Sequence, residues 1–168
     1  YSSKDKTFIF HNAEFDCHMI RETYGVEAPE NIIDTVRVSH MLDASTSNAL
    51  KNWGEVNYGP AATYHEDLVA DYIRQYRLKS YSHVPAEIMD PYAANDTVLT
   101  KALAYKYVPV VKKMVGKLFD LEHALIPVIM DMEREGILID LDYIDDLQKG
   151  VIKRQRKLTD HIYKVVGK

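Results

Sequence analysis

Hydrophobic residues along the chain follow two patterns, short continuous runs and longer stretches in which every third or fourth residue is apolar. The short runs are typical of strands, because they are rich in side chains that favour extended backbone; they cover residues 7–10, 31–34 and 137–139. The longer stretches indicate amphipathic helices, near residues 12–25, 35–43, 50–53, 66–77, 85–90, 91–107, 118–136 and from 140 onward. This order predicts a helix-rich α/β fold. Two or three short strands are too few for a typical sheet, so the fold either borrows strands from residues before Tyr1 or is mostly helical.

Helix ends and buried faces follow from the same pattern. Polar residues ahead of the apolar stretches predict N-terminal caps, namely Asn12, either Asp34 or Thr35, and Asp140. In the first helix the spacing predicts a buried stripe, made of Phe15, Met19, Ile20 and Tyr24. The last helix has a similar stripe, made of Ile144, Leu147, Val151, Leu158, Ile162 and Val165.

Length and composition fit one globular domain. The chain has 168 residues, of which 46% are hydrophobic and 27% charged, so it can form a core. Its apolar runs are far shorter than the roughly 20 residues that a membrane span needs, so we expect no membrane partner. The single cysteine, Cys17, excludes an internal disulfide framework and favours a reducing, cytoplasmic setting. Because the chain begins with Tyr1 rather than Met, we expect it to be part of something longer.

Charge is distributed unevenly along the chain. From Leu147 to the end there are seven basic residues and one acidic residue, a charge of +6. The formal net charge is -4, which leaves -10 for residues 1–146. Such asymmetry indicates a polyanionic partner at the basic end, although a solvated helix face explains the basic run equally simply. The acidic part consists either of ordinary surface carboxylates or of carboxylates that hold divalent cations.

Two segments carry candidate chemistry. Asp16 lies in the first turn of a helix that follows a strand, where ligand sites of open α/β sheets collect. Tyr92 and Asp96 are four residues apart, so on a helix they share one face. Carboxylates are the ligands that Mg²⁺ or Mn²⁺ prefers, and two such ions about 4 Å apart can activate water for phosphodiester hydrolysis. A tyrosine hydroxyl beside them could orient that water.

Each of these residues also has a simpler interpretation. An Asp at a helix start is often a cap or a partner of the helix dipole, and a Tyr four residues before an Asp is often ordinary helix packing. His11, Asp16 and His18 could be transition-metal ligands, but their spacing matches no zinc pattern. Cys17 is better explained as a small buried residue than as a nucleophile.

Together these segments resemble the 3'-5' proofreading exonuclease domain of family A DNA polymerases, the DNA polymerase I type. The letters HNAEFD at residues 11–16 resemble its second motif, an Asn followed by an aromatic-Asp pair. The letters YAANDTVLT at residues 92–100 resemble its third motif, Tyr-x-x-x-Asp, in the tyrosine-bearing branch. Asp34-Thr35 and the helix after it resemble the intervening segment, and residues 122–140 are similar to the junction with the polymerase domain.

The resemblance implies a fold, a mechanism and a role for each site residue. It implies an RNase H-like exonuclease fold lacking its N-terminal strands, followed by a long C-terminal helix, with a two-metal Mg²⁺ or Mn²⁺ site that acts on the single-stranded 3' end of DNA. Residues 1–116 would be the C-terminal part of the exonuclease domain, and residues 117–168 the base of the polymerase thumb. The implied roles are metal binding by Asp16 and Asp96, water positioning by Tyr92, contact with the terminal nucleotide by His11 and Asn12, and contact with the DNA backbone by Lys153 and Arg154. The remainder of a bacterial or phage polymerase would be the protein partner.

One departure from the family pattern limits the expected activity. The first motif, Asp-x-Glu, supplies further metal ligands and should precede Asp16, but no residue pair before Asp16 forms it. Asp131-Met132-Glu133 has the right letters but lies far along the chain. We therefore expect the chain alone to have little or no exonuclease activity. The alternative is a non-catalytic RNase H-like module that binds DNA or a replication partner.

Overall fold

The computed structural model describes residues 5–167 and divides into two compact units, Tyr1–Asp131 and Met132–Lys168. The described part is a helix-rich α/β structure with one small sheet. Its strands are β1 (Phe8–Phe10) and β2 (Ile32–Asp34). Its α-helices are α1 (Ala13–Tyr24), α2 (Thr35–Leu42), α3 (Leu50–Tyr58), α4 (Tyr64–Tyr76), α5 (Ala86–Val115), α6 (Lys117–Glu135) and α7 (Leu141–Val166). Short 3-10 turns at Pro60–Thr63 and Tyr81–His83 precede α4 and α5.

The sheet places the starts of two helices side by side. Strands β1 and β2 pair in parallel, with Phe8 opposite Ile32 and Phe10 opposite Asp34. Both strands were predicted from their apolar runs. Because parallel strands end at the same edge of a sheet, the segments that lead into α1 and α2 lie next to each other. The third predicted strand is wrong, since residues 136–140 between α6 and α7 form neither strand nor helix.

Helix α1 buries a different face from the predicted one. Gly25 ends it in the left-handed conformation, with φ of 66°, as expected for a helix C-terminus. However, Phe15 is 60% exposed and Tyr24 75% exposed. The helix instead packs through small side chains, because Ala13 and Cys17 are fully buried against α6. This cluster contains Ala13, Cys17, Ile126 and Met130, with Phe10, Ala28 and Ile32 packed against it.

A second core cluster joins α2, α5 and α6. Its buried members are Val38, Val111 and Phe119. Helices α3 and α4 also pack on α5, where the Cβ-less Gly54 allows Leu99 to approach closely. A Cβ atom added at Gly54 would lie 2.7 Å from a Leu99 methyl carbon. Helices α2, α3 and α4 therefore all pack on α5, and α5 carries Tyr92 and Asp96.

The two helices predicted at Pro85 and Pro91 are one helix. Pro85 is the N-cap residue of α5, whereas both Pro91 and Pro109 lie inside this 30-residue helix. A proline inside a helix removes the hydrogen bond to the carbonyl four residues earlier. Those carbonyls belong to Glu87 and Tyr105, both exposed residues, so water can satisfy them and the helix continues.

Helix α7 begins as the sequence predicts but does not bury its apolar stripe. Asp140 caps it, since its side chain accepts a hydrogen bond of 3.0 Å from the main-chain N–H of Tyr143. The prediction that its apolar stripe faces inward is wrong, because all six side chains are exposed: Ile144, Leu147, Val151, Leu158, Ile162 and Val165. Among residues 5–167, none of the helices has the length and hydrophobicity to cross a bilayer.

Candidate active site

Asp34 is the structural centre of the candidate site, at the end of β2. Its side chain is almost completely buried, with 1% exposed. The carboxylate accepts hydrogen bonds of 2.9 Å from the N–H of Asn12, 3.1 Å from that of Ala13 and 2.9 Å from that of Val36. One carboxylate thus satisfies main-chain donors at the starts of both α1 and α2. The choice between Asp34 and Thr35 as the cap of α2 is settled for Asp34.

Asn12 precedes α1 but does not cap it with its side chain. Its backbone is left-handed, with φ of 74°, a conformation that Asn tolerates better than most residues. Asn12 therefore stands at the N-cap position of α1, as predicted, but the side-chain oxygen that accepts from the start of the helix belongs to Asp34 of the neighbouring strand. The Asn12 side chain is exposed and can face a ligand.

His11 directly follows strand β1 and is held by the first residue of α2. Its Nδ1 lies 2.8 Å from the hydroxyl oxygen of Thr35. Burial lowers the pKa of His11, and this effect exceeds the opposite influence of Asp34 and of a main-chain hydrogen bond with Asn48. The imidazole is therefore mainly neutral near pH 7.

Asp16 lies in the first turn of α1, as predicted. Its side chain is partly buried. Burial raises the pKa of the Asp16 carboxyl, and the negative charge of Asp34 raises it further. A carboxylate in such surroundings is stabilised by a nearby cation.

Tyr92 and Asp96 are joined as their spacing predicts. The tyrosine hydroxyl makes a side-chain hydrogen bond with the Asp96 carboxylate one turn further along α5. Burial, followed by the charge of Asp96, raises the pKa of Tyr92, so its hydroxyl stays protonated and acts as the donor. Burial also raises the pKa of Asp96, and the hydrogen bond from Tyr92 only partly offsets this.

Glu66, which the sequence analysis did not single out, faces this pair from α4. Burial raises its pKa first, and the charge of Asp96 raises it further, whereas Lys51 lowers it. Glu66 also contributes to the raised pKa of Tyr92. Residues 61–84 showed no clear helical pattern beyond a helix from Glu66, and no local signal indicates which of their carboxylates would face α5.

The donor chemistry of Asp16 and Asp96 fits a divalent metal ion. Both are oxygen ligands of the type that Mg²⁺ and Mn²⁺ prefer, and burial disfavours the charged form of each. Within residues 5–167, no three His, Cys, Asp or Glu side chains are grouped so that they could hold a metal ion. The alternative transition-metal site of His11, Asp16 and His18 is therefore not formed by the described residues.

The predicted backbone contacts lie in the other unit. Lys153 and Arg154 are exposed residues of α7. They belong to the basic run of the sequence, whose members from Lys149 to Lys164 lie on one continuous helix.

Comparison with known proteins defines the class of this chain. A family model described as 3'-5' exonuclease matches residues 2–112, which include both candidate segments. The chain therefore belongs to the 3'-5' exonuclease family of DNA polymerases of the family A type, and the resemblance seen in its motifs is confirmed. No solved structure matches the chain.

Several curated proteins are similar to almost the whole chain. It is 27% identical to a DNA polymerase of Bacillus phage SP01, covering 94% of this chain and 17% of that protein. It is 28% identical to DNA polymerase I of Chloroflexus aurantiacus, with the same two coverages. A DNA polymerase of Escherichia phage T5 is 26% identical over 96% of this chain and 21% of its own length. The chain thus spans about one fifth of the relatives it matches.

Proposed function

We propose that this chain forms part of a two-metal 3'-5' exonuclease site that hydrolyses the 3'-terminal phosphodiester bond of single-stranded DNA. The observation that carries the proposal is the hydrogen-bonded Tyr92–Asp96 pair on α5, within the segment that matches the exonuclease family. Water attacks the phosphorus, the bond from phosphorus to the 3' oxygen breaks, and a nucleoside monophosphate leaves. In a polymerase this reaction removes a misincorporated nucleotide, which is proofreading.

Each residue has a role in this proposal. Asp16 and Asp96 would hold the metal ions. When bound, Mg²⁺ or Mn²⁺ supplies activation of water and stabilisation of the leaving oxygen. Tyr92 positions the attacking water through its protonated hydroxyl, since its raised pKa makes it a poor base.

The substrate is held by residues around these carboxylates. His11 and Asn12, at the start of α1, contact the terminal nucleotide. Asn12 is suited to this because Asp34 caps α1 in its place. Lys153 and Arg154 contact the DNA backbone, where neutralising phosphates supplies affinity that depends on salt.

The remaining parts of the site and of the protein belong to a longer polypeptide in this proposal. Residues 1–116 are the C-terminal part of an RNase H-like exonuclease domain, and residues 117–168 begin a polymerase domain at its thumb. An Asp-x-Glu strand upstream supplies the missing metal ligands and pairs with the small sheet. The polymerase acts in the cytoplasm of a bacterium or of a phage-infected host.

A non-catalytic module that binds DNA or a replication partner is the second candidate function. It is favoured by the absence of a three-residue metal-ligand group among residues 5–167. Such a module would bind DNA without metal and with strong salt dependence. The enzyme would bind Mn²⁺ through Asp16 and Asp96.

The test is nucleotide release from 3'-labelled single-stranded DNA by the complete gene product that contains this chain. We expect release that requires Mg²⁺ or Mn²⁺. Asp96→Ala should reduce its rate more than 100-fold, and Tyr92→Phe should reduce it less, since a positioned side chain that assists proton transfer contributes about 10² to 10⁴ in rate. Thr97→Ala, an exposed neighbour on α5, is the matched control and should retain activity. Release that survives Asp96→Ala unchanged would contradict the proposal.

A further inference from the structure

The hydroxyl of Thr35 sits between two groups that come from the end of β1. It donates a hydrogen bond of 2.9 Å to the main-chain carbonyl of Phe10. The same oxygen lies 2.8 Å from Nδ1 of His11. Thr35 is 3% exposed, so water has little access to it and these protein groups decide its hydrogen bonding.

The neutral imidazole has a single proton, and two hydrogen-bond partners compete for it: the Thr35 oxygen at Nδ1 and the main chain of Asn48. With the Thr35 hydrogen directed to Phe10, Nδ1–H donates to the Thr35 oxygen. With that hydrogen turned to Nδ1 instead, the imidazole proton lies on the other ring nitrogen. The ring keeps the same orientation in both arrangements, because Nδ1 is bonded to Thr35 in each.

The geometry points to Thr35 as a positioning residue that fixes the ring orientation of His11 through the hydrogen bond at Nδ1. This inference rests on the proposed function in one respect, namely that His11 contacts the terminal nucleotide. Thr35 acts only through His11, because its own hydroxyl is fully engaged by Phe10 and His11. Because Thr35 already holds the imidazole in one orientation, DNA binding does not have to restrict the rotation of the ring.

The surroundings of His11 support an ordered ring. A small void beside it is lined by the side chains of Ser39, Trp53, Leu103 and Tyr107, among others. Trp53 and Tyr107 pack edge to face, with ring centroids 5.2 Å apart. These side chains leave space of only about 10 Å³, about what a single water molecule needs, so the imidazole has little room to turn on this side.

The first experiment reads the imidazole directly by long-range ¹H–¹⁵N NMR of the purified protein. We expect one neutral form of His11 to predominate in the wild type, a mixture of the two neutral forms in Thr35→Val, and a return to the wild-type form in Thr35→Ser, which keeps the hydroxyl. A Thr35→Val ring with the same proton distribution as the wild type would overturn the inference. This reading requires no DNA and no activity.

The second experiment measures the Kd of the complete gene product that contains this chain for a single-stranded oligonucleotide labelled with a fluorophore. Thr35→Val should raise the Kd about threefold to tenfold, the size of one net hydrogen bond, and Thr35→Ser should restore it. In a His11→Ala background, Thr35→Val should change the Kd no further. An equal loss in that background would show that Thr35 acts through the fold and would overturn the positioning role.

The two experiments separate the two claims. If the wild type does not bind single-stranded DNA, the proposed function fails, while the NMR measurement still decides whether Thr35 fixes His11. If the NMR result is as expected and Thr35→Val leaves DNA binding unchanged, the positioning role fails, while the exonuclease proposal stands.

Discussion

The carboxylate of Asp34, at the end of β2, accepts a hydrogen bond of 3.1 Å from the main-chain N–H of Ala13, the first residue of α1. The same side chain also caps α2, the helix that follows β2. The hydrogen bond to Ala13 therefore connects α1, the helix that carries Asp16, to the neighbouring strand. It also places a buried negative charge near Asp16, which raises the pKa of that residue.

Removing this carboxylate should destabilise the fold. Asp34→Ala leaves three main-chain donors without their present acceptor, and we expect the free energy of unfolding to fall by at least about 4 kcal/mol, since each hydrogen bond to a charged group contributes about 1.5 to 3 kcal/mol. The measurement is urea denaturation. Asp43→Ala is the control, because Asp43 is an exposed residue whose side chain accepts hydrogen bonds only from nearby Ser45 among the bonds described. Equal losses for the two variants would contradict the central role of Asp34.

The site carboxylates should make stability depend on pH in a defined direction. Burial raises the pKa of both Asp16 and Asp96 above the ordinary value of 3.8, so the folded state holds these protons more tightly than the unfolded state. Their contribution to stability is therefore lost as pH rises from about 3.8 through the raised pKa values. Without metal, Asp16→Asn and Asp96→Asn should each increase the free energy of unfolding at pH 7 and flatten its pH dependence over this range.

The control for the pH measurement is Asp90→Asn, an exposed residue on the same helix as Asp96. It should leave both the stability at pH 7 and its slope nearly unchanged. A decrease in stability at pH 7 in the Asp16 and Asp96 variants would mean that these carboxylates are stabilised rather than strained by their surroundings.

The chain by itself should release few or no nucleotides from single-stranded DNA. Asp16 and Asp96 are two carboxylates, and the Asp-x-Glu pair that the family resemblance requires is not found before Asp16. The measurement compares the 168-residue chain with its Asp96→Ala variant in Mg²⁺, and we expect equal background. Rapid Mg²⁺-dependent release that Asp96→Ala abolishes would show that the chain needs no further ligands.

The basic helix should contribute affinity through phosphates. Lys153→Ala combined with Arg154→Ala should weaken binding of all DNA sequences alike and reduce the slope of log K against log salt by roughly 1 to 2, because each phosphate contact contributes about 0.7 to 0.9. The charge-matched control is Lys79→Ala with Lys113→Ala, two exposed residues outside α7. An equal change of slope in the control would show that the effect comes from net charge and not from phosphate contacts of Lys153 and Arg154.

Local patterns predicted the elements of the fold better than their packing. The strand before α1, the helix start at Asp140 and the Tyr92–Asp96 pair depend on neighbours within a few residues, and they are found as predicted. Whether Phe15 is buried depends on which element packs against α1, and the spacing of apolar residues within that helix does not reveal it. Small Ala13 and Cys17 form the actual contact face, which a search for large apolar residues overlooks.

The candidate site shows the same division. Asp16 and Asp96 stand out because motifs and spacing select them. The capping of α1 by Asp34 joins residues more than 20 positions apart through parallel strand pairing, and no local pattern indicates that Asp34 replaces Asn12. Glu66 is brought to Asp96 by the packing of α4 on α5, which is again a tertiary effect.

In the proposed function, Asp16 and Asp96 serve one cation site. The most direct measurement is paramagnetic broadening by Mn²⁺, followed on the side-chain ¹³Cγ signals of ¹³C-labelled aspartate, which detects a weak site as well as a tight one. We predict that substoichiometric Mn²⁺ broadens the signals of Asp16 and Asp96 together, and that Asp16→Asn weakens the effect at Asp96. Broadening confined to one of them, or shared equally with exposed carboxylates such as Asp90, would contradict the account.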